Sequence, residues 1–353
     1  MAPVSVTGLD KIRTLVALCR AFCNGWFMLL LRRGPTSKPL LKQFLYATLR
    51  SFTGSSTIEG DVFFRNLGAN TEKVYLDGAK RLGFQPDTLM VKEGLRAHWI
   101  GNKGADRVIL YFHGGGYVLA AGPGHVNWLH QQTCESYKAK PTSALMLSYA
   151  LAPEAQYPTQ LQQAAEALNW LLAQGGKRPS QIIIGGDSAG GNLALALFSH
   201  ILHPHPQVPM VKLDEPLAGA LLISPWVEFH PRDKLFEANK HNDFLGEGVA
   251  DKWSSAFLGS AKTDEYAQPA LAGSDWFFDL PRVVNKIFVY GGSLEVLIGS
   301  INSMASKLQS VHPKMEYLVE DGAVHTDFLI DGLVGYTEQT EGTRRIQQWL
   351  ASV

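Results

Sequence analysis

The 353-residue chain is poor in cysteine and in unbalanced charge, and both shortages exclude functions. Its three cysteines, Cys19, Cys23 and Cys134, form no even disulfide framework, and no CxxC or Cys/His spacing marks a zinc site. Cys19 and Cys23 stand four apart, neighbours on one helical face, so the expectation is reduced thiols in an intracellular, cytoplasmic protein. Thirty-two basic residues cancel 32 acidic ones. With no block of like charge, the electrostatic footprint of a partner for DNA, RNA or anionic lipid is missing. There is no internal repeat, no low-complexity tract and no apolar run of the ~20 residues that a membrane span needs.

Residues 15–31 come nearest to such a run, but Arg20, Asn24 and Gly25 interrupt them. On a helix, Arg13, Arg20 and Asn24 fall at i, i+7 and i+11, a thin polar stripe beside a wide apolar face. A helix of this kind packs on its own domain or makes peripheral contact with a bilayer surface, with a true span or signal anchor as the less favoured alternative. No small-residue cleavage site indicates a removed signal peptide.

With 46% hydrophobic residues, the chain can bury one large domain and an accessory layer. Residues 1–60 read as helices joined by a Gly/Pro/Ser linker at 34–39 and closed by Gly54 to Ser56. From about Arg96, short apolar runs (108–112, 144–149, 182–184, 218–223, 287–290, 315–319) alternate with helical patterns (158–173, 190–202, 300–310, 343–351). That alternation predicts an α/β fold with a mostly parallel central sheet flanked by helices, its ligands at the carboxyl ends of the strands. Residues 225–281 break the rhythm: they are long, aromatic and without a convincing strand. They are read as a helical cap insertion. The expected organisation is N-terminal cap helices at 1–60, a core at 61–224 and 282–353, and the insertion between the core segments.

Gly186-Asp187-Ser188-Ala189-Gly190 matches the G-x-S-x-G nucleophile elbow, with an apolar strand before it and a small-residue helix after it. The turn strains the serine backbone, so its neighbours must be tiny. Upstream, His113-Gly114-Gly115-Gly116 follows a strand. Backbone N–H groups of Gly114 and Gly115, with that of Ala189, are the expected oxyanion hole, and His113 is read as structural. An alkyl serine needs a base, and in such folds the chain order is Ser, then Asp or Glu, then His. His325 lies six residues past the last apolar run, and Glu295 follows the run before it. Asp321 and Asp327 flank the histidine too closely in sequence to orient it from behind. His200, His203 and His205 cluster, but prolines interrupt them, and neither a metal nor a cofactor is expected. Tyr117, Trp226, Phe229, Phe244, Trp253 and Phe257 are candidates for a hydrophobic substrate pocket.

His113-Gly114-Gly115-Gly116, the Tyr149-to-Glu154 segment (YALAPE), the elbow and Val324-His325 together resemble the hormone-sensitive-lipase-like branch of the α/β-hydrolases, over residues 60–353. The run Ala97-His98-Trp99-Ile100-Gly101 is similar to fungal-type esterase and lipase members, and fungal secondary metabolism is one setting this suggests. The resemblance implies a capped fold, esterase activity on short- to medium-chain or alicyclic esters, and supporting roles for Glu154 and Asp187. Two departures stand out. Where most of the family reads Asp-Pro-Leu and then Arg-Asp, this chain reads Glu295-Val296-Leu297 and then Ile298-Gly299. A glutamate can still orient a histidine, but the loop lacks its usual Arg-Asp anchor. Alternatives stay open: amide hydrolysis, or acyl transfer, lactonisation or cyclisation at the same site. A further one is a non-catalytic small-molecule receptor, like the gibberellin receptor, which lacks the histidine present here. The sequence leaves the oligomeric state open, a dimer included.

Overall fold

The computed structural model describes residues 5–31, 38–68, 70–134, 140–334, 336 and 339–353. Most of the linker expected at 34–39 therefore lies outside the described residues. Four helices come first: α1 (Gly8–Leu30), α2 (Leu40–Ser55), α3 (Ile58–Gly68) and α4 (Thr71–Leu82). The 60/61 boundary drawn from the sequence falls inside α3. Thr7 caps α1 through a reciprocal bond with Asp10, and Gly83 ends α4 in the left-handed region.

A hairpin follows, β1 (Asp87–Lys92) and β2 (Leu95–Ile100), which the sequence pattern had not marked as two strands. The strand β1 lies at the sheet edge with alternate residues half-buried, a pattern too weak to read over six residues. Then come β3 (Arg107–Phe112), α5 (Pro123–Thr133), β4 (Thr142–Ser148), α6 (Thr159–Ala173), β5 (Ile182–Asp187), α7 (Ala189–Leu202) and β6 (Gly219–Ile223). The 225–281 segment carries α8 (Lys234–Asn239) and α9 (Val249–Leu258). The chain closes with β7 (Ile287–Gly292), α10 (Ile298–Val311), β8 (Met315–Glu320), α11 (Asp327–Val334) and α12 (Glu341–Ser352).

The eight strands form one sheet in the order β1-β2-β4-β3-β5-β6-β7-β8. Only β2 runs against the others. Central strands read as continuous apolar runs because helices cover both faces: every residue of β3, β5, β6 and β7 is buried. All six apolar runs marked in the sequence are strands here. The loops leaving β3, β5, β6, β7 and β8 converge at one edge of the sheet, where chemistry is sought in such folds.

One close backbone joint in this frame is between α7 and β3. A Cβ built on Gly190 would lie 1.8 Å from the carbonyl oxygen of Phe112, so the helix can seat only on a glycine. Backbone cannot move aside as a side chain can. Gly190→Ala should therefore reach or exceed the upper end of the ~1–3 kcal/mol typical of overpacking, read as a lower denaturant midpoint. An unchanged midpoint would show that the helix does not sit this close.

Candidate active site

Ser188 caps α7 with φ 52° and ψ −117°, a region a serine occupies only under constraint. The constraint is visible. Its N–H donates to the carbonyl of Ile223 (2.9 Å), and its carbonyl accepts from the N–H of Trp226 (2.9 Å) and of Asn192 (3.0 Å). A Cβ on Gly186 would meet the Gly190 carbonyl oxygen at 2.3 Å, so the elbow tolerates nothing larger there. Ala189 is the first residue of α7, where an N–H has no acceptor within its own helix.

His325 and Glu295 meet as the sequence predicts. The imidazole Nδ1 donates to Glu295 Oε2 at 2.7 Å, and both residues are buried. The other carboxylate oxygen accepts from the N–H of Gly292 (2.5 Å) and the Ser224 hydroxyl (3.0 Å). Ser224 begins the short turn whose Trp226 holds the Ser188 carbonyl, so one piece of chain braces both Glu295 and Ser188. With Nδ1 committed to Glu295, Nε2 is the nitrogen left to accept a proton. Burial alone would depress the imidazole. The Glu295 hydrogen bond and charge, with Asp243 and Asp187 farther off, outweigh it and raise His325 above its ordinary value. Asp321 and Asp327 look elsewhere: Asp321 accepts from Ser293 (3.2 Å), and Asp327 is matched by Lys38 (2.6 Å), Lys42 (2.7 Å) and Tyr46.

A second carboxylate joins His325 and Glu295 unannounced. Asp243, from the 225–281 segment, is fully buried. Its Oδ1 accepts from the backbone N–H of His325 (3.2 Å) and of Phe244 (2.7 Å), and its Oδ2 from that of Val296 (2.8 Å). Asn239 adds two bonds from Nδ2, to the carbonyls of Ser293 and Glu295 (3.0 Å each). The loop that lacks an Arg-Asp pair is thus anchored from outside, by α8 and the turn after it. No spacing or motif in the sequence marks either residue.

The glycine loop corrects one expectation. The N–H of Gly114 already donates to Asp187 Oδ1 at 3.0 Å, so it is not free to meet an oxyanion. Asp187 also accepts from Tyr111 (2.9 Å) and faces His125 Nε2 at 3.2 Å. Burial alone would raise the Asp187 carboxyl, but His125 and Tyr111 together hold it below the usual carboxylate range. His125 was not anticipated. His113 is buried and stacked on Tyr149 (4.3 Å), whose hydroxyl donates to the His113 carbonyl (2.5 Å). Burial lowers the His113 imidazole to about 4, so it is neutral, as a structural residue should be. Glu154 pairs with Arg65 at 2.6 Å and does not line the cavity at Ser188.

That cavity measures about 280 Å³, with Ser188 and Gly116 among its walls. Of the aromatic candidates, Trp226, Phe229 and Trp253 line it, joined by Phe236, Leu245, Val249, Val296 and Leu297. Tyr117, Phe244 and Phe257 do not. Tyr117 donates to Asn192 Oδ1 (2.7 Å) and stacks on Phe257 (3.9 Å) behind the wall, while the Phe244 ring rests against His325 (5.7 Å). Charged residues, among them Arg232, Glu237, Glu247 and Asp251, supply the rest of its lining. The His200–His205 cluster is tied to backbone: His200 Nε2 to the Pro209 carbonyl (3.0 Å), His203 Nε2 to that of Trp276 (2.9 Å).

Comparison with known proteins places the chain among relatives of the same fold. A carboxylesterase/phospholipase, LipF, of Mycobacterium tuberculosis is 28% identical over 252 residues, 70% of this chain; the match spans only 62% of that relative's own length. An esterase of Acinetobacter venetianus is 26% identical over 73% of this chain and 81% of its own. The crystal structure of an esterase/lipase from an uncultured bacterium superposes with a TM-score of 0.60, at 27% identity over 75% of this chain and 82% of that one. A family model for the alpha/beta hydrolase fold matches residues 109–329, from β3 through the histidine loop. The chain belongs to the α/β-hydrolase fold family.

Proposed function

We propose that the chain is a carboxylic ester hydrolase working through an acyl-enzyme on Ser188. The observation that carries this reading is the His325 Nδ1–Glu295 Oε2 bond, which leaves Nε2 as the base. Ser188 attacks the acyl carbonyl as His325 takes its proton. Glu295 stabilises the imidazolium, which then protonates the departing alcohol, and water repeats the sequence to release the acid. The oxyanion is met by Ala189, at the start of α7, and by Gly115 and Gly116 in place of Gly114, whose N–H is engaged. The helices of residues 1–60 and the 225–281 insertion act as a cap. Lys252 joins the two, bonding the Thr53 and Ser56 carbonyls (3.1 and 3.0 Å) and Asp61 (2.7 Å). A cavity of about 280 Å³ suits a short apolar acyl or alcohol group, with the charged lining toward a more polar remainder. The imidazole–carboxylate pair weighs against a non-catalytic receptor.

Ser188→Ala should lower hydrolysis of p-nitrophenyl butyrate by roughly 10⁴-fold or more and abolish labelling by a fluorophosphonate. Retained labelling would sink the assignment. In wild type, activity needs neutral His325, whose pKa is raised, so the acid limb of kcat/KM should have its midpoint above the ordinary imidazole value of about 6.5. A midpoint below that value would contradict the Glu295–His325 coupling.

A second reading concerns α1, whose polarity is inverted. Its buried residues are the small Thr14, Ala21 and Gly25, while Leu9, Ile12, Leu15, Phe22, Trp26, Phe27 and Leu30 face outward. Charge is uneven too, although it cancels over the whole chain. Asp10 is the only acidic residue among the first fifty, against Lys11, Arg13, Arg20, Arg32, Arg33, Lys38, Lys42 and Arg50. Lys38 and Lys42 pair with Asp327, and Arg50 donates to the Asp243 carbonyl, but Lys11, Arg13 and Arg20 are exposed on α1. An outward apolar face flanked by cations fits an anionic bilayer surface, on which α1 lies in plane. The protein should sediment with phosphatidylcholine vesicles containing phosphatidylserine and much less with phosphatidylcholine alone. Phe22→Ser with Trp26→Ser should release it. A dimer that ignores vesicles, or binding that only detergent reverses, would overturn this reading in favour of a second copy or a true span.

A further inference from the structure

We infer that Asp243 is a positioning residue for the acid–base pair, setting both the placement and the charge preference of His325 from the insertion. The inference rests on the reading of His325 as the base, and goes beyond it in giving the insertion a part in the chemistry.

The argument begins with where the two loops come from. Glu295 follows β7 and His325 follows β8, and the first of these loops carries no charged residue of its own after Glu295, only Val296-Leu297-Ile298-Gly299. One carboxylate spans both. Oδ2 holds the N–H of Val296, next to the acid, and Oδ1 holds the N–H of His325 itself. Asp243 is in turn held by α2, where Arg50 Nη1 donates to its carbonyl (2.6 Å), and the N–H of Gly246 donates to Thr53 (2.9 Å). Displacing this segment would release the base and the acid loop together.

The carboxylate's surroundings add a charge effect. Its oxygens are held by the backbone N–H groups of Phe244, His325 and Val296. The Arg50 guanidinium is directed at the carbonyl instead. Other titratable groups around it are Glu295 and His325 on the adjoining loops, Tyr46 on α2 and, toward His325, Asp187 from β5; Asp327 is already matched by lysines. Burial is the largest influence on Asp243, pushing it up to about 6, with His325 opposing and Glu295 reinforcing. Once ionised, Asp243 is a second anion near the imidazole. It favours the imidazolium that forms when Ser188 gives up its proton.

Asp243→Asn removes the charge while nearly keeping the shape. Its charge raises the His325 pKa, so its removal should lower it. The acid limb of kcat/KM for p-nitrophenyl butyrate should move to lower pH by roughly half a unit or more, while the plateau falls about tenfold or more. Asp243→Glu, which restores the charge, should return the limb toward wild type even if the plateau stays reduced. A fall in plateau with an unmoved limb would reduce Asp243 to a structural tie and overturn the inference, as would no change at all. Should the asparagine variant not fold, the wild-type protein carries the test. The Val296 amide resonance, bonded to Oδ2, should titrate with a midpoint near 6. A flat Val296 profile would equally overturn it. This titration needs no turnover, so its failure is distinguishable from failure of the esterase reading, which Ser188→Ala tests.

Discussion

A buried carboxylate must be met by donors on both oxygens, and the site is built around that requirement. Glu295 satisfies it by taking His325 Nδ1 on one oxygen and Gly292 and Ser224 on the other. An unpaired anion in this position would cost several kcal/mol, so the loops that supply its donors are held wherever the carboxylate is. Gly292 ends β7 and Ser224 follows β6, while Thr326, beside the histidine, donates its N–H to the same Ser224 hydroxyl (3.3 Å). Three strand ends are locked to one another through a single side chain. The strained Ser188 backbone joins this network through the turn from Ser224 to Trp226.

Asp187 and Asp243 repeat the device on either side. Asp187 ties the glycine loop to the elbow, through Gly114, and Asp243 ties the 225–281 segment to the loops carrying Glu295 and His325. Helix α2 serves the histidine loop from two directions, since Lys42 and Tyr46 hold Asp327 just past His325 and Arg50 holds Asp243. The N-terminal helices are therefore connected to the His325 loop and not only laid over it. If α1 rests on a lipid surface, the element beside it is the one that braces the His325 loop.

Much of this was legible in the residues. Six strands read as apolar runs, and for five of them, β3 to β7, the reason is that they lie inside the sheet with both faces covered. The elbow showed itself through the glycines that its close contacts demand, and His325 and Glu295 through their place after the last two of those strands. The edge strand β1 of the hairpin escaped because three half-buried residues alternating with three exposed ones make a weak pattern. Tyr117, Phe244 and Phe257 were misplaced for a different reason. An aromatic residue near a site can line the cavity or back its wall, and hydrophobicity is the same in both cases.

The sequence by itself determined the order of the motifs: a glycine loop, a serine on a forced turn, a glutamate and a histidine, each at a strand's carboxyl end. These follow from local rules, since turn geometry and strand periodicity act over a few residues. Only the tertiary structure decided how the polar groups are shared. It engaged the Gly114 N–H with Asp187, brought Asp243 to His325 across 82 residues of chain, and turned the apolar face of α1 outward. Each of these depends on which groups meet once the loops are closed. Hydrogen bonding and burial at that range are set by the packed fold, not by neighbours in sequence.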